Sequence, residues 1–340
     1  MSDPTAAVLV VGAGALGHRI ARAHAGAAIH AGGSSRVSAW TFSAASAWRL
    51  NAEGFRAAAC DLRPGGGDLP PIPPGCRTVY FCAAPHLSAE AHRLYVGGYA
   101  RVLAALARTL PGGDGEGGAL AVPRVSIGPT GPAAAVGPLR LVLAASTGVI
   151  GDHAGASVDE SVPRDTASPR GRVLAEAEDQ IAGFTRDHAA AGVSAVIVRL
   201  VGLYGPERNP LAQLWAGAYR YPGDPDRRIN LLHLTDAADA LVAAGRLDLP
   251  AGAVELIHAA DSAYPTRREY IEAVCAAYDL PTPPIPMGVA PAPDRPAAPA
   301  AGPALGGRMV GDRRIANDKL RRLLLPNLAF PSYWEGLGTF

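Results

Sequence analysis

The stretch AAVLVVGAGALGHRIARAHA, residues 6–25, contains the pattern that decides the fold. Residues 6–12 form a short apolar run that ends in glycine, which is typical of a buried parallel strand. Residues 15–25 have the apolar spacing of an amphipathic helix. A GxGxxG turn, Gly12 to Gly17, lies between them. A strand, a glycine-rich turn and a helix in this order predict a dinucleotide-binding unit.

Each glycine of this turn has an expected task. Gly12 permits the tight turn, Gly14 lets the backbone approach a pyrophosphate, and Gly17 allows the helix to pack closely on the strand. The backbone of Ala15 and Leu16 begins the helix, where free N–H groups and the helix dipole attract phosphate. These five residues are therefore predicted to bind the cofactor.

The choice between NAD and NADP depends on the residues that follow the turn. NAD-binding proteins usually place an acid near the ribose about 20 residues further on, yet no acid lies between Gly17 and Glu53. Arg19, Arg22 and Arg36 could each reach a 2′-phosphate or could be solvated surface arginines. The missing acid favours NADP over NAD.

Further strand patterns alternate with helical or turn-rich segments along the chain. The strand patterns are at 36–43, 55–62, 77–85, 139–147 and 194–205. This alternation predicts an α/β fold, a Rossmann-type doubly wound parallel sheet. We predict a dinucleotide-binding domain over 1–205 and a smaller, mixed substrate-binding portion over 206–340. Residues 111–138 and 280–307 are rich in Gly, Pro and Ala, and are predicted to be an irregular insertion and a loop.

The composition excludes several kinds of partner. The net charge of +1, without a run of basic residues, argues against nucleic acid and anionic membranes. The sequence has no signal-peptide pattern, no apolar run of about 20 residues, and no CxxC pair among its four cysteines. Its histidines are not grouped with other metal ligands. We expect a cytoplasmic protein with a small-molecule substrate and no metal, and a homodimer is possible.

Several segments match one superfamily in order. They are the GxGxxG turn, CDL (60–62), FCAAP (81–85), STGVIGD (146–152) with VDESVP (158–163), VRLVGLYGPER (198–208) and NLLHLTDAADAL (230–241). With them the chain resembles the short-chain dehydrogenase/reductase superfamily, in its extended, epimerase/dehydratase-like branch. The resemblance spans nearly the whole chain except the two Gly/Pro-rich segments. It is specific for the fold and not for a reaction.

The resemblance implies roles for matching residues. Asp61 would contact adenine, and Ala83 and Ala84 would pass under the cofactor. Ser146, with Thr147 beside it, would bind the substrate carbonyl or hydroxyl. In that branch a tyrosine transfers the proton, and a lysine four residues later lowers the pKa of the tyrosine and holds the nicotinamide ribose.

The helix that should carry this pair departs from the pattern. Ser168 and Arg172 occupy the expected places, and residues 151–203 contain neither tyrosine nor lysine. The chain thus resembles an atypical subset that lacks the Tyr-x-x-x-Lys pair. Ser168 before Pro169 is a good helix N-cap, and its alternative role is a catalytic hydroxyl. Arg172 either pairs with Glu176 or holds the cofactor.

Other side chains could take over proton transfer or substrate binding. His86 follows the FCAAP strand at the edge where doubly wound folds bind ligands, and histidine titrates near neutrality. Tyr204 ends a strand and either faces the substrate or is a core aromatic, and Arg208, four residues further on, either binds the substrate or is a loop charge. His233 resembles a substrate-binding histidine of the branch, or is a structural histidine near Asp236.

These observations favour an NAD(P)-dependent oxidoreductase or epimerase. Its substrate would be a small polar carbonyl, alcohol or imine, held near Ser146. The proton would move through His86, water or a substrate group. The alternative is a non-catalytic NAD(P)-binding sensor or regulatory protein.

Overall fold

The fold is built on one parallel sheet with helices on both faces. The computed structural model describes residues 7–26, 36–84, 90–111, 138–285 and 311–340. The strands are β1 (Ala7–Val11), β2 (Val37–Thr41), β3 (Arg56–Ala59), β4 (Cys76–Phe81), β5 (Leu139–Ser146), β6 (Ser157–Val158), β7 (Val193–Leu200), β8 (Gly202–Tyr204), β9 (Leu231–His233), β10 (Val254–Ala259) and β11 (Arg314–Ile315). Seven of them form the main sheet in the order β3-β2-β1-β4-β5-β7-β10, and every neighbouring pair is parallel. The predicted doubly wound sheet is confirmed.

Helices cover both faces of this sheet. The helices of the described ranges are α1 (Ala15–Ala25), α2 (Ala44–Ala52), α3 (Tyr99–Ala107), α4 (Pro169–Asp187), α5 (Leu211–Trp215), α6 (Leu234–Arg246), α7 (Arg267–Ala277), α8 (Asp318–Leu323) and α9 (Tyr333–Gly336), of which α5, α7 and α9 lie in the C-terminal portion. A π-helical turn, Arg93–Gly98, leads into α3. Alternate residues of β1 point to opposite faces, as strand geometry requires. Val8 and Val10 join a core with α1 and α6, whereas Leu9 and Val11 join one with α3 and α4.

The C-terminal portion has its own small core. Two short strand pairs, β8 with β9 and β6 with β11, lie outside the main sheet. The third apolar cluster joins α5, α7 and α9 and includes Tyr204, Leu211, Tyr270, Val274, Tyr333 and Leu337. However, α6 and β10 belong to the main sheet layer although they follow residue 205. The predicted domain boundary between residues 205 and 206 therefore does not separate the main sheet from the rest of the chain.

Two sequence predictions lie mainly beyond what the structure describes. Most of the predicted insertion over 111–138 and of the predicted loop over 280–307 is outside the described residues. None of the helices in the described ranges is both long and apolar enough to cross a membrane.

Candidate functional site

The glycine-rich turn joins three strands of the sheet. Gly12 has a φ of +93°, and a β-carbon there would overlap the backbone N and Cα of Ala83. The N–H groups of Gly12 and Ala13 both donate to the Trp40 carbonyl at 2.9 Å. A β-carbon on Gly17 would lie 2.5 Å from the Gly12 carbonyl oxygen. Glycine is therefore required at both positions, because the turn is packed against β4 and against its own helix.

The opposite side of the turn is open. A β-carbon on Gly14 would meet no atom within 4 Å, and Gly14 is exposed. Helix α1 begins at Ala15 without a side-chain cap or an acid in its first turn. The first N–H groups of a helix lack intrahelical partners and carry the positive end of the dipole. The turn and the N–H groups of Ala15, Leu16 and Gly17 thus fit a dinucleotide pyrophosphate.

The predicted adenine contact, Asp61, already has a partner. Its Oδ1 accepts from the backbone N of Arg63 at 3.0 Å, and its Oδ2 accepts from the Arg63 NH2 at 2.7 Å. This hydrogen bonding holds the pKa of Asp61 below its usual range. Arg63 also pairs with Glu90 and lies 5.1 Å from the centre of the Phe42 ring. The Asp61 carboxylate is therefore paired with Arg63, and the adenine contact that the resemblance implies has to compete with this pairing.

Ser146 lies at the carboxyl end of β5, the edge predicted to hold the substrate. Its Oγ accepts a hydrogen bond from the Gly148 N at 3.1 Å, which leaves the hydroxyl hydrogen available to donate. Thr147 is different, because it is buried and its Oγ1 donates to the Leu200 carbonyl at 3.3 Å. The predicted substrate contact of Thr147 is therefore not supported, since its side chain bonds to β7.

Buried Arg313 holds the turn that follows Ser146. Its guanidinium donates to the carbonyl of Thr147 at 2.9 Å and to that of Gly151 at 2.6 Å. No sequence pattern predicts this contact, because Arg313 lies more than 160 residues away along the chain. The contact fixes the backbone on which Ser146 and Gly148 are presented.

Ser168 and Arg172, which stand where the resembled branch has its tyrosine and lysine, both bond to other groups of the protein. Ser168 is the N-cap, and its Oγ accepts from the Gly171 N at 3.0 Å. A β-carbon on buried Gly171 would overlap the Asp165 carbonyl oxygen, so the helix start is tightly packed. Exposed Arg172 donates to the carbonyls of Thr166 at 3.2 Å and Ala167 at 2.8 Å, and it forms no ion pair with Glu176 among the described contacts. These contacts do not support a catalytic role for Ser168. They also engage the Arg172 guanidinium with two backbone carbonyls, so they do not support a cofactor contact of Arg172 either.

A buried ion pair anchors α4 to the sheet. Arg199 on β7 donates through Nε and NH2 to the two carboxylate oxygens of Glu178, each at 2.8 Å. Both side chains are at most 5% exposed. Buried His258 lies beside Arg199, and desolvation and this positive charge lower its pKa to about 3. The pair sets the position of α4 relative to the strand ends.

Tyr204 and His233 are both buried, which favours the structural alternative for each of them over a substrate contact. The Tyr204 hydroxyl donates to the Ser332 carbonyl at 3.1 Å, and burial raises the pKa of Tyr204 well above its usual value. His233 Nδ1 accepts from the Thr235 N at 3.2 Å, and its ring lies 3.8 Å from that of Phe330. Desolvation lowers the pKa of His233 to about 4. Both residues are part of the C-terminal packing.

The remaining predicted site residues lie in different environments, and one of them is outside the described ranges. Ala83 packs under Gly12, and Ala84 is exposed immediately after it, so their contact with a cofactor stays a prediction. His86 lies outside the described residues. Arg208 is exposed after β8, and its backbone pairs with Gly205. In the ranges that the structure describes, no group of three or more His, Cys, Asp or Glu side chains could hold a metal ion.

Two residues at this edge were missed by the sequence reasoning. A β-carbon on Gly148 would lie 3.2 Å from both Arg170 Nε and Ser146 Oγ, so the Arg170 side chain reaches the Ser146 turn. Tyr95, in the π-helical turn against α4, is half-buried between the two sheet cores. Neither position belongs to a motif of the resembled branch, so only the packing of α4 reveals them.

Comparisons with known proteins agree with this fold. No family model matches the chain. Protein YeeZ of Escherichia coli (strain K12) is 38% identical over 102 residues, which are 30% of this chain and 34% of YeeZ. The match thus spans about a third of the length of that relative.

Solved structures match over nearly the whole chain. A conserved protein of unknown function from Silicibacter pomeroyi has a TM-score of 0.67 and 21% identity, covering 98% of this chain and 97% of its own. The UDP-glucuronic acid 4-epimerase from Bacillus cereus, in complex with NAD, has a TM-score of 0.67 and 16% identity over 98% and 96% of the two chains. MoeE5, in complex with UDP-glucose and NAD, has a TM-score of 0.67 and 18% identity over 98% and 96%. At these identities the likeness shows a common fold.

Proposed function

Because the chain has the fold of NAD-binding sugar-nucleotide epimerases, we propose that it is an NAD(P)-dependent oxidoreductase or epimerase. Its substrate is a small polar carbonyl, alcohol or imine metabolite. One observation carries this proposal. The packing of Gly12 on Ala83 leaves the open Gly14 turn at the same edge of the sheet as the Ser146 hydroxyl.

The cofactor is held mainly by backbone. Ala15, Leu16 and Gly17 present N–H groups of the α1 start to the pyrophosphate, Gly14 lets the backbone approach it, and Ala83 and Ala84 allow the cofactor to cross β4 closely. A bound nicotinamide dinucleotide supplies the carbon that gives or takes hydride. Small residues at these positions leave room for that approach.

Ser146 orients the substrate for that exchange. Its Oγ accepts from Gly148, so its hydrogen is directed to the substrate oxygen or nitrogen. A donor of this kind stabilises the charge that develops on the reacting group. The proton itself moves through water, His86 or a substrate group. An imine substrate has the least need of a proton donor from the protein, because its nitrogen is basic.

The preference for NADP remains a proposal. Arg63 is a cation close to the end of β2, beside Phe42, but it is already paired with Asp61 and Glu90. Arg19 is paired with Glu207 at 2.6 Å. Fluorescence titrations with NADH and NADPH decide the preference directly, and a tighter affinity for NADH would overturn it.

The test of the enzyme proposal is a single-turnover assay. Purified protein with NADH or NADPH, or with the oxidised cofactors, is mixed with candidate carbonyl, imine and alcohol compounds, including the UDP-sugars bound by the structural neighbours. We expect at least one compound to exchange hydride. Ser146→Ala should slow the exchange about 10²-fold and leave cofactor affinity unchanged. Ser157→Ala is the matched control, because Ser157 is an exposed residue of β6.

The alternative is a non-catalytic NAD(P)-binding sensor, and one observation favours it. Ser168 and Arg172, at the places of the usual pair, are bonded to backbone groups of their own helix start. A sensor binds cofactor tightly and turns over nothing in the assay above. The cytoplasmic location and the homodimer also stay predictions, and size-exclusion chromatography with light scattering tests the latter.

A further inference from the structure

The first turn of α4 places an arginine beside the Ser146 turn. A β-carbon built on Gly148 would lie 3.2 Å from Arg170 Nε and 3.2 Å from Ser146 Oγ. It would also lie 3.4 Å from Cδ1 of buried Leu174. The guanidinium and the hydroxyl therefore flank one small space, and this space stays open because residue 148 is a glycine.

A substrate can enter the space between these two groups. Ser146 and Gly148 are half-buried, and Arg170 is exposed. The space lies at the carboxyl end of β5, the edge where doubly wound sheets bind ligands. Ser146 Oγ accepts from the Gly148 N at 3.1 Å, so its hydrogen is available to a substrate. A substrate oxygen that accepts from Ser146 thus lies within reach of Arg170.

Arg170 is the arginine at the start of α4 whose charge has no protein partner. Arg172 donates to two backbone carbonyls of the segment before the helix. Arg164 donates to Asp179 at 2.9 Å. Arg170, in contrast, forms no ion pair and no side-chain hydrogen bond with any residue in the described ranges. Its guanidinium is therefore available to a ligand.

The acids of α4 do not neutralise Arg170 either. The helix has no acid in its first turn. Glu176 Oε2 lies 3.7 Å from His92 Nε2, and Glu178 is bound by Arg199. Arg170 is the second residue of this long helix, so the positive end of the helix dipole adds to its charge. Among the described residues, the environment of the Ser146 hydroxyl thus favours negative charge.

We propose that Arg170 binds the reacting oxygen of the substrate together with Ser146, and stabilises the negative charge that forms on this oxygen. The inference rests on the proposed function, because it assigns a further residue to that hydride exchange. Hydride addition to a carbonyl carbon moves the π electron pair of the C=O bond onto the oxygen. The hydride comes from a reduced nicotinamide dinucleotide, which is thereby oxidised. The oxygen then takes a proton from water, because a guanidinium does not release its own.

The fixed charge of Arg170 also selects the substrate class. A carbonyl oxygen becomes negative during reduction, and a guanidinium stabilises this charge through charge-assisted hydrogen bonds. An imine is reduced as its protonated cation, which a neighbouring guanidinium repels. The inference therefore narrows the substrate to a carbonyl or alcohol. Arg170 then provides charge stabilisation in a helix that lacks the usual tyrosine and lysine.

The first measurement needs no cofactor. The probe is para-nitrophenol, titrated with the full-length protein while the absorbance of its phenolate is followed. A guanidinium beside the bound oxygen should lower the pKa of the bound probe by about one pH unit, a tenfold preference for the phenolate. Arg170→Gln should remove this shift, and Gly148→Ala should prevent binding because its β-carbon fills the space. No binding by the wild type, or the same shift in Arg170→Gln, overturns the inference.

The second measurement is the single-turnover assay with carbonyl, alcohol and imine compounds. The wild type should exchange hydride with a carbonyl or alcohol and not with an imine. Arg170→Gln should slow this exchange about 10²–10³-fold and leave the affinity for NADH or NADPH unchanged. Arg170→Lys keeps the charge and should be roughly tenfold faster than Arg170→Gln. An unchanged rate in Arg170→Gln, or turnover of imines alone, contradicts the assigned role.

Arg186→Gln is the matched control, because Arg186 is an exposed arginine in the last turn of the same helix. It should leave the probe shift and the rate unchanged, and urea unfolding should be the same for all arginine variants. Equal loss in Arg186→Gln overturns the inference. Hydride exchange that is equally fast in Arg170→Gln removes the inference and leaves the proposed function standing. An Arg170-dependent probe shift without dinucleotide binding leaves the oxyanion site standing and contradicts the proposed function.

Discussion

Replacing Ser168 with alanine tests whether this residue is a helix cap or a catalytic group. The structure predicts loss of one hydrogen bond, from Gly171 N to Ser168 Oγ at 3.0 Å. Loss of such a cap costs about 1 kcal/mol, within a range of about 0.5–2 kcal/mol. Pro169 lowers the need for further capping, because it has no N–H at the first helical position. The cost should therefore not exceed that range.

The corresponding shift in melting temperature is small. Unfolding entropy is about 2.1 cal/mol/K per residue, so for 340 residues a loss of about 1 kcal/mol lowers Tm by about 1–2 °C. Urea unfolding followed by circular dichroism resolves the difference better than a thermal scan. Ser168→Asn is the comparison variant, since asparagine caps as well as serine but has no hydroxyl.

The two interpretations of Ser168 differ in one outcome. If it is a cap, Ser168→Ala loses about 1 kcal/mol, Ser168→Asn regains most of this, and both keep NADH affinity and single-turnover rate. Equal loss of turnover in both variants, with normal unfolding, would refute the reasoning, because then the hydroxyl itself would be needed for the reaction.

Three further predictions follow from the same structure. Gly14→Ala should unfold like the wild type, because its β-carbon meets open space, yet bind NADH at least tenfold more weakly in a fluorescence titration; unchanged affinity would contradict the pyrophosphate assignment. Arg199→Met should lose about 3–5 kcal/mol in urea unfolding, and the double variant with Glu178→Met should recover most of it; failure to recover would mean that the buried charge is not the cause. Desolvation raises the pKa of buried Asp261 to about 8, so the folded protein holds a proton there that the unfolded chain releases above about pH 4. Relative to Asp261→Asn, wild-type stability should fall as pH rises from 5 to 8, by at most about 1.4 kcal/mol per pH unit, and a flat difference between the two proteins would contradict this.

Much of the sheet could be predicted because its signal is local. The apolar run before Gly12 and the glycine spacing to Gly17 specify a strand, a turn and a helix within about 20 residues. The helix cap formed by Ser168 and Pro169 could also be predicted, since capping depends on adjacent residues. The sequence-based predictions failed where an element pairs with a segment that is distant along the chain. Residues 312–326 have a helical sequence pattern, yet the structure has short strand β11 there followed by α8, because Arg314 and Ile315 pair with β6.

The predictions for the candidate site show the same difference between local patterns and distant packing partners. Ser146, Gly12 and Ala83 were identified because strand ends and glycine turns place them at one edge. For Tyr204 and His233 the sequence left a substrate contact and a structural role open, because motif position does not show which way a side chain points. Their rings pack with Phe330, Phe340 and the α9 region, which arrive from the far end of the chain.

The sequence by itself determined the alternation of strands and helices, the glycine-rich turn, and the absence of a tyrosine and a lysine over residues 151–203. Each of these depends on residues that are neighbours along the chain or on simple counting. Only the tertiary structure decided that Ser168 and Arg172 bond to their own helix start, and that Arg170 reaches Ser146 through the space left by Gly148. The physical reason is that hydrogen-bond partners, burial and unpaired charge are properties of packing between distant segments, which no local pattern encodes.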